Sequence, residues 1–385
     1  MHKHSPMNCF VPPHILKNIA TKGTENQRAL AIETLKTSEQ MRGQRQALAD
    51  FSAAAFRVQM AAKDRIVYDA RNGSSLPGTI ARRENDPPTA DVTVNEAFDG
   101  SGITYDLFNN IYQRNSIDGS GMRLDSTVHY QRGYDNAFWN GEQMVYGDGD
   151  EDLPESERLF KRFTISLDII GHELTHGVTQ FEAKLVYLQQ SGALNESMSD
   201  VFGSLVKQYK GNETAAEADW IIGEGLFTSN VNGVGIRSMK APGTAYDDPV
   251  IGKDPQPAHM KDYVNTISDN GGVHINSGIP NRAFYITALE LGGHAWERAG
   301  QIWYVTLKDR LTANSKFQDC ANLTFQVAGQ LYGAGSIEQQ AVKKGWAEVG
   351  LATDGGGVPP PEPPPSDGCL ASLLRAIGAA PAKTR

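Results

Sequence analysis

The stretch that most constrains the fold is Leu167–Gln180 (LDIIGHELTHGVTQ), which holds the run His172-Glu173-Leu174-Thr175-His176. On an α-helix, residues four apart share one face, so both histidines can point at one ion. Glu173 sits beside the first histidine, where it reaches a water on that ion rather than the ion itself. Zinc suits two neutral imidazoles and one carboxylate at about 2.0–2.2 Å, with a fourth position open to water. The flanking Ile165, Leu167, Ile169, Ile170, Leu174 and Val178 are apolar and no proline intervenes, so the stretch reads as a buried helix.

An isolated HExxH also arises by chance, as an amphipathic helix with two solvated histidines. The segment Ser191–Asp200 (SGALNESMSD) weighs against that reading. Glu196 and Asp200 are again four apart and share a helical face. The interval after His176 leaves room to end one helix, turn and begin another. Glu196 can then complete the zinc shell, and Asp200 can accept a hydrogen bond from the far nitrogen of a ligand histidine.

The 385 residues suffice for two domains with a sizeable core. A net charge of −9 without a basic stripe argues against nucleic acid or an anionic membrane as partner. Three distant cysteines, Cys9, Cys320 and Cys369, give no disulfide framework. The N-terminus lacks the apolar core of a Sec signal peptide, and no stretch is long and apolar enough to span a bilayer. The expectation is secretion by a route without a Sec signal; a cytoplasmic location is the alternative.

Composition then divides the chain. Residues 1–60 are rich in Ala, Gln, Arg, Glu and Leu after Pro12-Pro13 and read as a helical segment ahead of the body. Residues 61–180 carry short strands at Arg65–Ala70, Ser126–Tyr130 and Asn136–Gly149, with a helix over Asn95–Asn115. His129 has no companion at ligand spacing and reads as structural. Residues 181–352 are mostly helical, with His274 in the glycine-rich run Asp269–Gly278 ahead of further helices. Residues 353–385 hold a stiff proline tract, Val358–Pro365, and a tail.

These residues resemble the thermolysin family of zinc metalloendopeptidases from about Ile66 to Leu351. The resemblance rests on Asn136–Asn140, Tyr146–Asp150, His172–His176, Gly192–Asp200, Arg237–Met239 and Gly271–Pro280. The short front segment resembles that of the protealysin-like branch. The resemblance implies an α+β, two-domain zincin: a β-rich N-terminal lobe, a mostly helical C-terminal lobe, and the active-site helix between them. It implies His172, His176 and Glu196 as ligands of one catalytic zinc and Glu173 as general base. It matches Tyr187 and His274 to donors for the oxyanion, and Asp269 to the carboxylate that orients His274. Asn136 and Ala137 match the edge strand that pairs with substrate backbone. Arg237 matches the arginine that holds a substrate carbonyl. Phe160, Phe163, Ile169 and Ile236 line up with the pocket after the scissile bond, so cleavage is expected before Leu, Phe, Ile or Val.

The partners implied are protein and peptide substrates and the chain's own front segment as intramolecular inhibitor, in a monomer. Cys9 is a candidate zinc ligand from that segment. The family's calcium carboxylates are depleted here. Asp168, Asp219 and Glu224 remain, but Lys207, Ile221, Arg83 and Val234 replace others, so calcium binding is expected to be weak or absent. The competing readings are a catalytically silent zincin-fold binding protein and a zinc aminopeptidase.

Overall fold

A computed structural model describes residues 8–48 and 62–353. The expected boundary near residue 60 and the tail beyond residue 353 lie outside those residues. The front segment supplies strand β1 (Asn8–Cys9) and helices α1 (Pro13–Lys22) and α2 (Glu25–Leu48). The next lobe contains β2 (Arg65–Asp69), β3 (Thr79–Arg83), α3 (Val92–Tyr112), β4 (Leu124–Val128), β5 (Ala137–Trp139) and β6 (Met144–Tyr146). These strands form one sheet in the order β1-β5-β6-β4-β2-β3. Its β2–β4 and β4–β6 pairs are parallel, and the others are antiparallel.

Strand β5 is therefore an outer strand of this lobe, and the front segment pairs with its open edge. Asn8 faces Trp139 and Cys9 faces Phe138. The sequence suggested only helices here. A two-residue strand has no periodicity to read, and its partner lies more than a hundred residues away.

Two long helices cross behind the sheet: α4 (Leu167–Phe181) and α5 (Gln189–Gly211). Their contact is unusually close. A Cβ on Gly203 of α5 would sit 2.5 Å from the Asp168 carbonyl oxygen and 3.0 Å from the His172 nitrogen of α4. A side chain there would push the helices apart, and Glu196 with them. Leu174, Val178, Leu194, Val201 and Leu205 are fully buried in the same core. Ile165, expected in the buried flank, instead ends a separate turn ahead of α4 and is 36% exposed.

The chain then passes through the short pair β7 (Ile221–Ile222) and β8 (Arg237–Ser238). It finishes in α6 (Asp269–Asn276), α7 (Gly278–Leu291), α8 (Arg298–Asp309), α9 (Phe317–Tyr332) and α10 (Ile337–Glu348). The helical C-terminal lobe matches the expected pattern.

His129 pins the N-terminal lobe together. Its Nδ1 lies 2.7 Å from an Asp148 oxygen and its Nε2 2.8 Å from Asp91, whose other oxygen caps α3 through the Thr93 amide. The Asp148 hydrogen bond raises its pKa against the pull of burial, and with Asp91 brings it to about 9. Because the folded value exceeds the unfolded 6.5, this stabilisation is complete below pH 6.5 and is lost as pH rises through 9. The site is partly exposed, so about 1–2 kcal/mol is expected after solvent screening. Denaturant midpoints should fall across that window, and His129→Gln should flatten the slope.

Candidate active site

Helix α4 presents His172 and His176 on one face, with ring centroids 4.6 Å apart and the two Nε2 atoms 3.0 Å apart. Each imidazole is oriented from behind. His172 Nδ1 lies 2.8 Å from Asp200 Oδ1. His176 Nδ1 lies 2.8 Å from Asn195 Oδ1 and 2.9 Å from Ser199 Oγ. Helix α5 supplies all three of these partners. It also brings Glu196 to 3.6 Å from His172 Nε2 and 3.4 Å from His176 Nε2.

All three inward-facing groups are fully buried, and Glu196 Oε2 has no hydrogen-bond partner. Two imidazole nitrogens and an orphaned carboxylate oxygen, crowded together away from water, are donors to a cation. The arrangement fits zinc. His172, Glu173 and His176 also form a cluster with ligand atoms within 4.8 Å of one another. Glu173 Oε2 accepts the Trp139 amide of β5 at 2.9 Å. The strand thereby aims the Glu173 carboxylate, which nothing in the sequence indicated.

Asp200 is the hub behind the site. Besides His172, it receives Arg237 Nε and Nη2, each at 2.8 Å, and Asn281 Nδ2 at 2.8 Å. Burial alone would raise this carboxyl, but Arg237 and His172 hold it well below the usual carboxylate range. Arg237 is itself almost fully buried, so each charge depends on the other.

The backbone around His274 is strained. Asp269, Asn270, Gly271 and Gly272 all have positive φ, at 54°, 51°, 84° and 79°. A left-handed run of four is rare, and each non-glycine member costs about 1–2 kcal/mol. It folds the Asp269 carboxylate back onto His274. Oδ2 accepts the His274 amide at 2.9 Å and Oδ1 meets Nδ1 at 2.6 Å. Burial would lower the His274 pKa, but Asp269 and Glu196 raise it, so the ring stays a donor. Its Nε2 lies 3.1 Å from the Tyr187 hydroxyl, which also donates to Glu196. Burial keeps Tyr187 protonated, far above its ordinary range.

The front segment fills the cleft between these groups. The Cys9 carbonyl accepts from His274 Nε2 at 3.0 Å, and the Phe10 carbonyl from Arg237 Nη1 at 3.3 Å. Phe10 N donates to the Ala137 carbonyl at 3.1 Å, and Val11 N to Asn136 Oδ1 at 2.8 Å. The buried Phe10 ring meets His172 edge-on at 5.4 Å. Cys9 is buried, with Tyr130, Tyr134, Phe138 and Val145 around it. Of the expected pocket residues, Ile236 approaches Phe10 across Gly223. Phe160 and Phe163 pack on each other at 6.0 Å, and both are buried, as is Ile169.

The comparisons with known proteins agree with this geometry. Residues 29–180 match the model of the thermolysin metallopeptidase catalytic domain, and residues 183–351 that of its α-helical domain. An extracellular metalloprotease of Pectobacterium carotovorum subsp. carotovorum is 47% identical over 350 residues, covering 91% of this chain and 98% of that protein. The chain belongs to the thermolysin family. It is a zinc-dependent metalloendopeptidase. A thermolysin of Alicyclobacillus acidocaldarius is 41% identical over 293 residues, 74% of the enzyme and 50% of that longer protein. The solved structure of the precursor of protealysin, a metalloproteinase from Serratia proteamaculans, superposes with a TM-score of 0.81 at 49% identity. It covers 90% of this chain and 100% of that one.

Among Asp168, Asp219 and Glu224, the enzyme places Lys207. Its Nζ lies 2.8 Å from both Asp219 oxygens, 2.9 Å from the Ile221 carbonyl, 3.4 Å from Asp168 and 3.5 Å from Glu224. Burial would lower the ammonium's pKa, but these carboxylates raise it. Arg83 and Val234 are exposed.

The front segment also carries a pH-sensitive contact. His14 Nε2 meets the Tyr246 hydroxyl at 2.8 Å, and its buried Nδ1 has no partner. Burial, only partly offset by Asp269, lowers its pKa to about 4. The docked segment therefore favours neutral His14. Its seating is fully stabilised above pH 6.5 and weakens as pH falls through 4, by up to about 3 kcal/mol. Limited proteolysis of residues 8–48 should quicken across that window. His14→Gln should remove most of the pH dependence.

Proposed function

We propose that the enzyme is made as a latent precursor and cleaves peptide bonds before large apolar residues, with Glu173 as general base. The observation that carries this reading is the seating of Cys9–Val11. Main-chain carbonyls meet His274 and Arg237, amides meet Ala137 and Asn136, and an aromatic ring lies between His172 and Gly223. A substrate strand adding to β5 would make the same contacts.

His172, His176 and Glu196 would hold the zinc, which would supply Lewis acidity and lower the pKa of its water to about 7. Glu173 accepts the proton of the attacking water and delivers it to the leaving nitrogen. His274 Nε2–H and Tyr187 O–H donate to the carbonyl oxygen as it gains charge. Asp269 keeps His274 oriented and protonated, and Arg237 holds the next carbonyl. Occupation of the cleft by the front segment excludes substrate and accounts for latency. We also propose that the enzyme is secreted, as its extracellular relative is named.

Processed, zinc-loaded enzyme should cut N-terminally blocked peptides before Leu or Phe and leave those with Gly or Asp at that position intact. Glu173→Ala should lower kcat by about 10²–10⁴-fold with zinc retained. Zinc-loaded enzyme that spares every blocked peptide would exclude endoproteolysis.

We further propose that the Lys207 ammonium takes the place of bound calcium. Lys207→Met should destabilise the fold by about 3–5 kcal/mol, because it strands the buried Asp168 carboxylate. Calcium added to the unsubstituted zinc-loaded enzyme should leave Tm unchanged; a large upward shift would sink the idea.

A further inference from the structure

We infer that the Cys9–Phe10 peptide bond is a self-cleavage site, at which the precursor removes its own residues 1–9 and yet stays latent. This rests on the roles proposed above for Glu173, Tyr187 and His274.

Register carries the argument. Two successive carbonyls of the front segment face two different donors, Cys9 at His274 and Phe10 at Arg237. The carbonyl at His274 is the one whose oxygen can gain charge against the donors. Its bond leads to Phe10, so Phe10 fills the apolar site after the reacting bond. There its ring lies beneath the Arg237 guanidinium at 4.8 Å and within 3.2 Å of where a Gly223 Cβ would be. The base is in place as well. The Trp139 amide that holds Glu173 belongs to the residue paired with Asn8, one position before Cys9. The segment thus shows the active site a bond in the orientation of a substrate.

The step is an ordinary hydrolysis. Water oxygen adds to the Cys9 carbonyl carbon, the C–N bond to Phe10 breaks, Cys9 keeps the hydroxyl as a carboxyl, and Phe10 nitrogen gains the proton. Latency survives because the anchors lie beyond the cut. Asn18 donates to the Ile251 carbonyl at 3.0 Å, Gln27 to the Glu157 carbonyl at 2.7 Å, and Thr34 accepts the Asp135 amide at 3.2 Å. Among the described residues ahead of the cut, β1 holds Asn8 and Cys9 to the edge of the sheet. The short fragment can leave and draw the reaction forward, while Phe10 keeps the cleft blocked.

The full-length chain, produced as Glu173→Ala and as the natural sequence, should be loaded with zinc and followed by intact mass and N-terminal sequencing. The natural chain should lose residues 1–9 and begin at Phe10 before any casein hydrolysis appears. Glu173→Ala and Phe10→Gly should retain Met1–Cys9. In metal-free protein, Phe10→Gly should speed hydrogen exchange at the Val11 amide; unchanged exchange would show that Phe10 does not hold this register. A natural chain that matures elsewhere and cuts blocked peptides, but never loses residues 1–9, overturns the proposal and leaves the peptidase reading intact. Clipping of Cys9→Ser but not of the natural chain overturns it too, and assigns the thiolate to the zinc. Zinc-loaded protein that cuts neither itself nor blocked peptides would sink both.

Discussion

The close crossing of α4 and α5 is the constraint on which the rest depends. Glycine at 203 lets one helix approach the backbone of the other at the level of His172. One helix then supplies two imidazoles, and the other supplies the carboxylate between them and the groups behind them. At ordinary helix spacing of about 8–10 Å, that carboxylate would stand too far away to share an ion. The buried Asp200–Arg237 pair serves the same arrangement. Its charges are costly to desolvate, and they offset that cost by orienting the His172 imidazole and the Phe10 carbonyl at once.

Much of this site could be read from the chain itself. Residues four apart on a helix have little choice about sharing a face, so the histidine pair and the Glu196–Asp200 pair were visible as pairs. The groups that aim them were less so. Asn195 and Ser199 are common helix residues, and only the direction of His176 gives them a role. The Trp139 amide has no side-chain signature at all. The left-handed turn at Asp269–Gly272 shows in sequence only as a pair of glycines, because strain imposed by tertiary packing leaves little trace in local propensity.

The front segment gives the opposite lesson. Its helices follow from composition, but its decisive element is a strand of only two residues. Pairing between Cys9 and Phe138 is a tertiary event, set by an open sheet edge and not by local preference. Lys207 lies between these extremes. Its charge is plain in the sequence, but only the fold gathers Asp168, Asp219 and Glu224 around it.

The edge of β5, where we propose that substrate adds, has a consequence for what the mature enzyme can digest. A chain entering as β1 does must offer several consecutive residues in extended form, with amides and carbonyls free of other partners. Helices and the interior strands of folded proteins cannot meet that demand without local melting. Digestion should therefore follow the softness of a target's fold more closely than its composition, favouring denatured chains and loose loops over compact domains of equal apolar content.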